Sequence, residues 1–166
     1  MSILQALILG LVQGLTEFIP ISSSGHLVLL HQAMGISNGG LAFDVALHMG
    51  TLMALLLFFH KDIVSLARSL FVKSKHTRLA WLLALATIPA VIAGVLLESA
   101  AATAFRSVKL VGINLIVVAL VMIWAERHFQ KRAKHTALDS INKKQALAAG
   151  FAQAAAIIPG VSRSGA

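Results

Sequence analysis

Long apolar segments separated by short polar stretches dominate the pattern of this chain. Three of these segments cover residues 41–59, 79–97 and 109–124. An α-helix crosses the hydrocarbon core of a bilayer with about 20 apolar residues, so each segment predicts a transmembrane helix. Pro89 lies inside the second segment, where a membrane helix tolerates it if neighbouring groups satisfy the freed carbonyl. The pattern therefore predicts an all-α polytopic membrane protein.

Two further apolar stretches, 3–18 and 27–35, are too short to span comfortably. The first has 16 residues, about 24 Å at the helical rise. Pro20 and the polar run from Ser22 to Gly25 separate the two stretches. Non-helical backbone within a membrane is tolerated only where protein or water covers it. We therefore predict a re-entrant hairpin whose polar turn lies near the middle of the membrane.

The same interruption recurs near the end of the chain, where residues 146–158 form an apolar half-helix that Pro159 ends. Chance similarity is the alternative, but an internal repeat explains the match, and three intervening spans make its topology inverted. We expect one membrane domain over 1–166, a fragment of a longer chain, with one repeat over about 1–125 and a second starting in about 146–166. At a shift of 140 the matches are Gly10 with Gly150, Gln13 with Gln153, Ser22 with Ser162, Ser24 with Ser164, and Gly25 with Gly165.

Charge changes this picture by giving the membrane segments an orientation. Only 12% of residues are charged, against about a quarter in soluble domains. The net charge of +8 comes largely from basic residues in 61–78 and 126–145. Basic loops usually face the cytoplasm, so we predict that both do, although Arg106 and Lys109 lie on the opposite side. This placement argues against a nucleic-acid partner, and the absence of cysteine excludes disulfides.

A first group of candidate functional residues surrounds the polar turn. Glu17 is the only acidic residue in the first 43 positions, and an ionisable residue in an apolar segment is costly and usually functional. Gln13 lies four residues earlier, on the same helical face. The alternatives are that Glu17 meets water at a helix end, that the serines are helix caps, and that the histidine is structural. The other members of this group are Ser22, Ser23, Ser24, Gly25 and His26.

A second group follows the second half-helix and centres on Arg163. We expect Arg163 to lie deep, where it needs an anion, and its planar guanidinium matches phosphate oxygens. Ser162, Ser164 and the amides of the loop add donors, as in an anion nest. The alternative is a structural ion pair of Arg163 with Glu17 or Asp44.

Together the two groups predict a phosphate site in a membrane. His26 or one of the serines would attack phosphorus, and Glu17 would act as base or hold a divalent cation. Asp44 and His48 share a helical face and extend the site, unless they only form a polar helix entry. We interpret His31 and His60 as bystanders near the membrane interfaces.

The quoted residues resemble the signatures of a known family, the bacterial undecaprenyl-diphosphate phosphatases, also called bacitracin-resistance proteins. The stretch from Phe43-Asp44 to Gly50-Thr51 resembles a third family segment, so the resemblance covers essentially the whole chain. The first signature corresponds to Gln13-Gly14-Leu15-Thr16-Glu17-Phe18-Ile19-Pro20-Ile21-Ser22-Ser23-Ser24-Gly25-His26, and the second to Pro159-Gly160-Val161-Ser162-Arg163-Ser164-Gly165.

The resemblance implies hydrolysis of undecaprenyl diphosphate to the monophosphate, which recycles the carrier lipid of peptidoglycan synthesis and gives bacitracin resistance. It also implies an inner-membrane enzyme with an outward-facing site, supported by Mg²⁺ or Ca²⁺. By motif, Glu17 is the acidic catalytic residue, His26 and Ser23 are the candidates for the nucleophile or its assistant, and Arg163 binds phosphate. Gln13 stands where many members have a glutamate, and Gln can neither act as a base nor bring charge to a metal.

An isoprenoid-phosphate transporter or flippase is the alternative function, because secondary transporters also use broken half-helices. A transporter would need Arg163, but not Glu17 and His26 together beside a serine cluster. A purely structural subunit needs neither a deep acid nor a deep base. The expected partners are the polyprenyl diphosphate lipid and the membrane; a homodimer, the nucleophile and lipid flipping stay open.

Overall fold

The protein is entirely helical over the part of the chain that the structure, a computed structural model, describes: residues 1–36, 40–129 and 140–165. No strand occurs in these ranges. Within these ranges, eight α-helices and a short 3-10 turn at Ala104–Arg106 follow one another. The α-helices are α1 Ile3–Thr16, α2 Ser23–Ala33, α3 Gly40–Phe58, α4 His60–Ser69, α5 Thr77–Leu96, α6 Glu98–Ala102, α7 Val108–Phe129 and α8 Lys143–Ala155.

Helices α3, α5 and α7 are long and apolar enough to cross a membrane. Their bounds confirm the three predicted spans, although α7 continues beyond the predicted end at Trp124 as far as Phe129. Pro89 lies within α5 without ending it. Only 6%, 11% and 6% of the most apolar stretches of the three helices are buried inside the protein. Their outward apolar surface is that expected of helices whose solvent is lipid rather than water.

The two short predicted stretches form separate helices, α1 and α2. Helix α1 begins with a capping box, in which the Gln5 amide donates to Ser2 Oγ and the Ser2 amide donates to Gln5 Oε1, at 3.2 and 2.8 Å. It has 14 residues, which at the helical rise is about 21 Å, less than the thickness of the hydrocarbon core. The chain leaves the helix at Glu17 and enters α2 after Ser22.

Three elements lie where the sequence predicts only loops. Helix α4 falls in the basic loop 61–78, and α6 and the 3-10 turn fall in 98–108. Helix α4 has ten residues and separates apolar from charged side chains, a pattern typical of helices at a membrane surface. These elements are too short for a search based on span length to find them. Lys131, Arg132 and Lys134 of the second basic loop lie outside the described residues.

The core is small and lies where α1, α2 and α7 meet. Leu9, Gln13, Leu27 and Val111 are almost completely buried there. Helix α8 packs mainly against α5, and a Cβ atom on Gly150 would collide with the Ala86 backbone. The glycine thus allows α8 to approach α5 closely, and α8 leads directly into the second polar turn.

Candidate functional site

The two polar turns that the sequence predicts as functional lie against each other. The Gly160 amide donates to Ser22 Oγ at 3.1 Å, although the two residues are 138 positions apart. Ser164 Oγ donates to the Ile19 carbonyl at 3.0 Å. The first turn, residues 17–25, and the second turn, residues 159–165, therefore build one site between the ends of α1 and α8 and the start of α2.

The two turns share an unusual backbone geometry. Ser22 and Ser162 have φ angles of 63° and 67°, in the left-handed region that non-glycine residues rarely adopt. Each serine also approaches the serine two positions later, with Oγ–Oγ distances of 3.4 Å from Ser22 to Ser24 and 3.3 Å from Ser162 to Ser164. Ser22 also caps α2, since its Oγ accepts from the Gly25 amide at 3.4 Å. The capping alternative is thus correct for Ser22, in addition to its contact with the second turn.

Two glycines allow the turns to come this close. Gly160 has a φ of 96°, and a Cβ atom there would lie 2.8 Å from Asn114 Cβ and 2.9 Å from the Val111 carbonyl oxygen. A Cβ on Gly25 would lie 3.3 Å from the Gly160 Cα. Asn114 Nδ2 donates to the Pro159 carbonyl at 3.1 Å, which ties the second turn to α7. Only glycine fits where backbones approach at this distance.

Glu17 is the centre of the polar contacts. Arg163 Nη2 donates to Glu17 Oε1 at 2.7 Å, and Gln13 Nε2 donates to Glu17 Oε2 at 3.0 Å. Ser23 Oγ also donates to Glu17 Oε2 in a short hydrogen bond. A carboxylate that accepts from a guanidinium, a hydroxyl and an amide is held firmly in one orientation. A hydroxyl this close to a carboxylate has the geometry of a nucleophile beside its base.

The protein leaves much of Arg163 uncovered, and its predicted depth in the membrane stays a prediction. Its side chain is 55% exposed, whereas that of Glu17 is 17% exposed. The guanidinium finds its anion in Glu17, as the structural alternative predicts. Because the second turn projects Arg163 outward from the end of α8, more than half of the side chain stays accessible to a ligand. Gln153 Nε2 donates to the Arg163 carbonyl at 2.8 Å and steadies that turn.

The predicted site residues divide between two neighbouring cavities. His26 lines the larger one, an apolar groove of about 790 Å³ along α7, with Leu115 and Met122 among its walls. His26 Nδ1 donates to the Ser22 carbonyl at 2.8 Å, and Ser162 borders both cavities. The smaller one is a polar cavity of about 20 Å³ lined by Glu17, Ser22, Ser23, Ser24, Ala156, Ser162, Arg163 and Ser164.

Asp44 forms a separate charged cluster. Its carboxylate accepts from Arg106 Nη2 at 2.5 Å and lies 3.5 Å from His31 Nε2. His31 is buried in this cluster, so the interpretation of His31 as an interfacial bystander is wrong, because α3 brings a carboxylate to its ring. The ion pair with Asp44 neutralises Arg106. Arg106 is one of the basic residues predicted on the side of the membrane opposite to the two basic loops. His60 is exposed and bonds only its own helix turn, with Nδ1 donating to the Leu57 carbonyl at 2.8 Å.

Helix α3 contributes two residues to the site: His48, which the sequence predicted as an extension of it, and Thr51, which it did not. His48 Nε2 lies 3.5 Å from Glu17 Oε2, and Gln13 Nε2 donates to Thr51 Oγ at 3.4 Å. Asp44, His48 and Thr51 follow the spacing i, i+4, i+7, which places them on one face of a helix. Polar residues at this spacing in an otherwise apolar span indicate a helix face that contacts other polar groups, and this pattern could have identified Thr51.

Among the described residues that line the polar cavity, Glu17 alone carries a carboxylate. Within the described ranges, no three side chains of His, Asp or Glu lie close enough together to hold a metal ion. Magnesium is commonly bound by one or two carboxylates together with waters and phosphate oxygens of a substrate. The donor set therefore fits a cation shared with a phosphate ligand, with Glu17 as the protein's contribution.

The fold and the site define a helical membrane protein with a polar, arginine-containing cavity beside an apolar groove. A profile of the family described as "Bacitracin resistance protein BacA" matches residues 6–166. The chain belongs to this family.

Curated relatives of the family are similar over 99% of this chain. A protein of Moorella thermoacetica named undecaprenyl-diphosphatase is 47% identical over 167 residues. Proteins of the same name from Pelotomaculum thermopropionicum and Methanosphaera stadtmanae are 47% and 45% identical. The chain spans 63%, 62% and 64% of the length of these three relatives.

Proposed function

We propose that the protein hydrolyses undecaprenyl diphosphate to the monophosphate and inorganic phosphate. This activity would recycle the carrier lipid of peptidoglycan synthesis and so give resistance to bacitracin. The observation that carries the proposal is the Glu17–Arg163 pair among serine hydroxyls, directly beside an apolar groove. A polyprenyl diphosphate has the matching chemistry, an anionic head joined to a long apolar tail. The names of the three relatives support the same substrate.

Substrate binding follows from the charges of the two cavities. The exposed guanidinium of Arg163 would take the terminal phosphate, because its fork of donors matches phosphate oxygens. Ser22, Ser24, Ser162 and Ser164 would add hydroxyl donors around the cavity. The isoprenoid tail would leave along the groove on α7, which borders the polar cavity at Ser162.

Ser23 is the nucleophile that the contacts support best. Its hydroxyl already donates to Glu17, so Glu17 can accept the proton as Ser23 Oγ bonds to the terminal phosphorus. The bond from that phosphorus to the bridging oxygen then breaks, and polyprenyl monophosphate leaves. Water attacks the phosphoserine and releases inorganic phosphate. His26 lies at the groove with Nδ1 bonded to the Ser22 carbonyl, where it can assist the leaving group.

A divalent cation, Mg²⁺ or Ca²⁺, forms part of the proposal. Glu17 would hold it together with phosphate oxygens of the substrate, and the cation would neutralise charge on the diphosphate. Gln13 contributes no charge to such a site. Because Glu17 would be the cation's only carboxylate among the described lining residues, we expect affinity for the cation to be weak without the lipid and to rise with it.

We also propose that the two turns belong to an inverted repeat whose half-helices enter the membrane from opposite sides. The matching left-handed serines and serine pairs support the equivalence, and the length of α1 supports re-entry. The site would face outward from the bacterial inner membrane. The chain contains no cysteine, so single cysteines at Ser74 and Thr103 can be labelled with an impermeant maleimide. Labelling from outside at Thr103 alone supports this orientation, and labelling at Ser74 alone contradicts it.

The test of function is phosphate release from undecaprenyl diphosphate by the full-length protein in detergent with Mg²⁺. Glu17→Ala and Arg163→Ala should each lose activity by about 10²- to 10⁴-fold, the range for a general base or charge-stabilising group. Both variants should elute from gel filtration as the parent does, which shows that they stay folded and also reports whether the protein is a homodimer, a possibility that the sequence leaves open. If the parent binds the lipid but releases no phosphate, the phosphatase proposal fails and transport becomes the better explanation.

A phosphoserine would identify the nucleophile. Quenching during turnover with a neutral denaturant, which preserves both phosphoserine and the acid-labile phosphohistidine, followed by mass spectrometry should find phosphate on Ser23, and Ser23→Ala should abolish it. Phosphate on His26 instead would transfer the nucleophilic role to that residue and leave Ser23 as a donor to the substrate.

A further inference from the structure

Helix α3 reaches the centre of the site through His48. His48 Nε2 lies 3.5 Å from Glu17 Oε2, and the histidine side chain is 27% exposed. Nδ1 of the same ring contacts the Asp44 carbonyl oxygen at 2.8 Å. A carbonyl oxygen only accepts, so Nδ1 is the donor, and this bond turns Nε2 towards Glu17, to which the ring donates when both of its nitrogens carry a proton.

The helix turn that carries His48 is itself held in place. Arg106 Nη2 donates to the Asp44 carboxylate at 2.5 Å, which joins the start of α3 to the chain just before α7. Thr51 Oγ donates to the His48 carbonyl at 3.0 Å and accepts from Gln13 Nε2 at 3.4 Å. Contacts thus extend from Arg106 through Asp44 and His48 to Glu17, and Gln13 is held from the same helix.

This support matters because Arg163 cannot serve two anions fully at once. Arg163 Nη2 bonds Glu17 Oε1 at 2.7 Å, but under the proposed function the same guanidinium must also bind the terminal phosphate. When it does, Glu17 loses part of its ion pair with Arg163 just as it must stay beside Ser23 to act as base. Gln13 and His48 both approach Oε2, the oxygen that accepts from Ser23.

We infer that His48 is a positioning residue that keeps the Glu17 carboxylate against Ser23 while Arg163 holds the phosphate. The inference rests on the proposed function and adds α3 to the two turns as a third part of the site. His48 acts through the location of Glu17, so its removal should slow the chemical step more than it weakens substrate binding. A misplacement of about 1 Å at a reacting group can cost about 10²-fold in rate.

The experiment compares three variants of the full-length protein in the phosphate-release assay with Mg²⁺. His48→Leu removes both ring nitrogens, and we expect kcat to fall about 10²-fold, with KM changed less than about threefold. His48→Gln keeps a donor that reaches Glu17, and we expect it to recover most of the parental kcat. His60→Leu is the matched control, because His60 makes the same kind of ring-to-carbonyl bond at 2.8 Å away from the site.

The outcomes separate this inference from the function on which it rests. A parent protein that releases no phosphate removes the proposed function and the inference together. An active parent with an equally active His48→Leu variant removes the inference alone. If His48→Gln were as slow as His48→Leu, the inference would be overturned, because a side-chain donor at this position would not be enough to hold Glu17 in place. A rise in KM with an unchanged kcat would also overturn it, by giving His48 a role in substrate binding.

Discussion

The first and second polar turns share a left-handed serine and a serine pair, but their charged residues have opposite signs. Each has a left-handed serine, at φ angles of 63° and 67°, and each pairs that serine with the one two positions later. The first turn carries the acid Glu17 and leads into α2, whereas the second carries the base Arg163 and follows α8. One local geometry is thus used twice to present groups of opposite charge.

The difference in charge shows how two similar turns can form a site that neither turn contains by itself. Two acidic turns would repel each other, and two basic turns would lack a general base. Because one turn is acidic and the other basic, they attract across the cavity at 2.7 Å and still leave an exposed guanidinium for an anion. Under the proposed function, the serine hydroxyls on both sides would provide the same donors to a phosphate, whereas the opposite charges of Glu17 and Arg163 would divide the chemistry between the turns.

The largest expected effect comes from exchanging the two charges. In the full-length protein, Glu17→Arg combined with Arg163→Glu restores an ion pair but moves the carboxylate away from Ser23. We expect phosphate release to fall about 10²- to 10⁴-fold, as it should in the Glu17→Ala and Arg163→Ala variants. If the exchanged protein regained parental activity, the two turns would be chemically interchangeable and the assignment of roles would be wrong.

A smaller effect should come from filling the space between the turns. Gly160→Ala adds a Cβ atom that would lie 2.8 Å from Asn114 Cβ, and overpacking of this kind costs about 1–3 kcal/mol. The left-handed backbone adds about 1–2 kcal/mol. Gly35→Ala is the matched control, because Gly35 has a φ of 66° but a Cβ there would meet no atom within 4 Å.

The measurement for this pair is the free energy of unfolding in detergent micelles. Gly160→Ala should be destabilised by the backbone and packing costs together, and Gly35→Ala by the backbone cost alone. Equal losses in the two variants would mean that the close approach of the turns contributes nothing measurable to stability.

The smallest effect distinguishes the two left-handed serines. Ser22 Oγ accepts from the amides of Gly25 and Gly160, so Ser22→Ala leaves two buried donors unpaired and should cost about 1–2 kcal/mol. Ser162 Oγ contacts Ser164 Oγ at 3.3 Å, and Ser162→Ala should cost about 0.5–1 kcal/mol. Unfolding titrations of the two variants test this, and a larger loss for Ser162→Ala would contradict it.

The spans could be predicted from the sequence because length and apolar composition alone decide which helices can cross a membrane. The breaks between half-helices were also predictable, since Pro20, Pro159 and the serine runs cannot continue an apolar helix. Helix α4 was missed because its ten residues are too few for a span and its charges suggested a loop. The exposure of Arg163 on the surface of the protein could not be predicted, because sequence position does not reveal which way a turn projects a side chain.

The sequence by itself determined the membrane class, the approximate spans, and the residue types able to bind a phosphate group. These properties depend on composition and local spacing, which no tertiary contact alters. Only the tertiary structure decided that Glu17 meets Arg163, that His26 borders a different cavity, and that His48 and Thr51 of α3 adjoin the site. Those contacts join residues far apart in the chain, and the packing of helices, unlike their formation, depends on side chains from several segments at once.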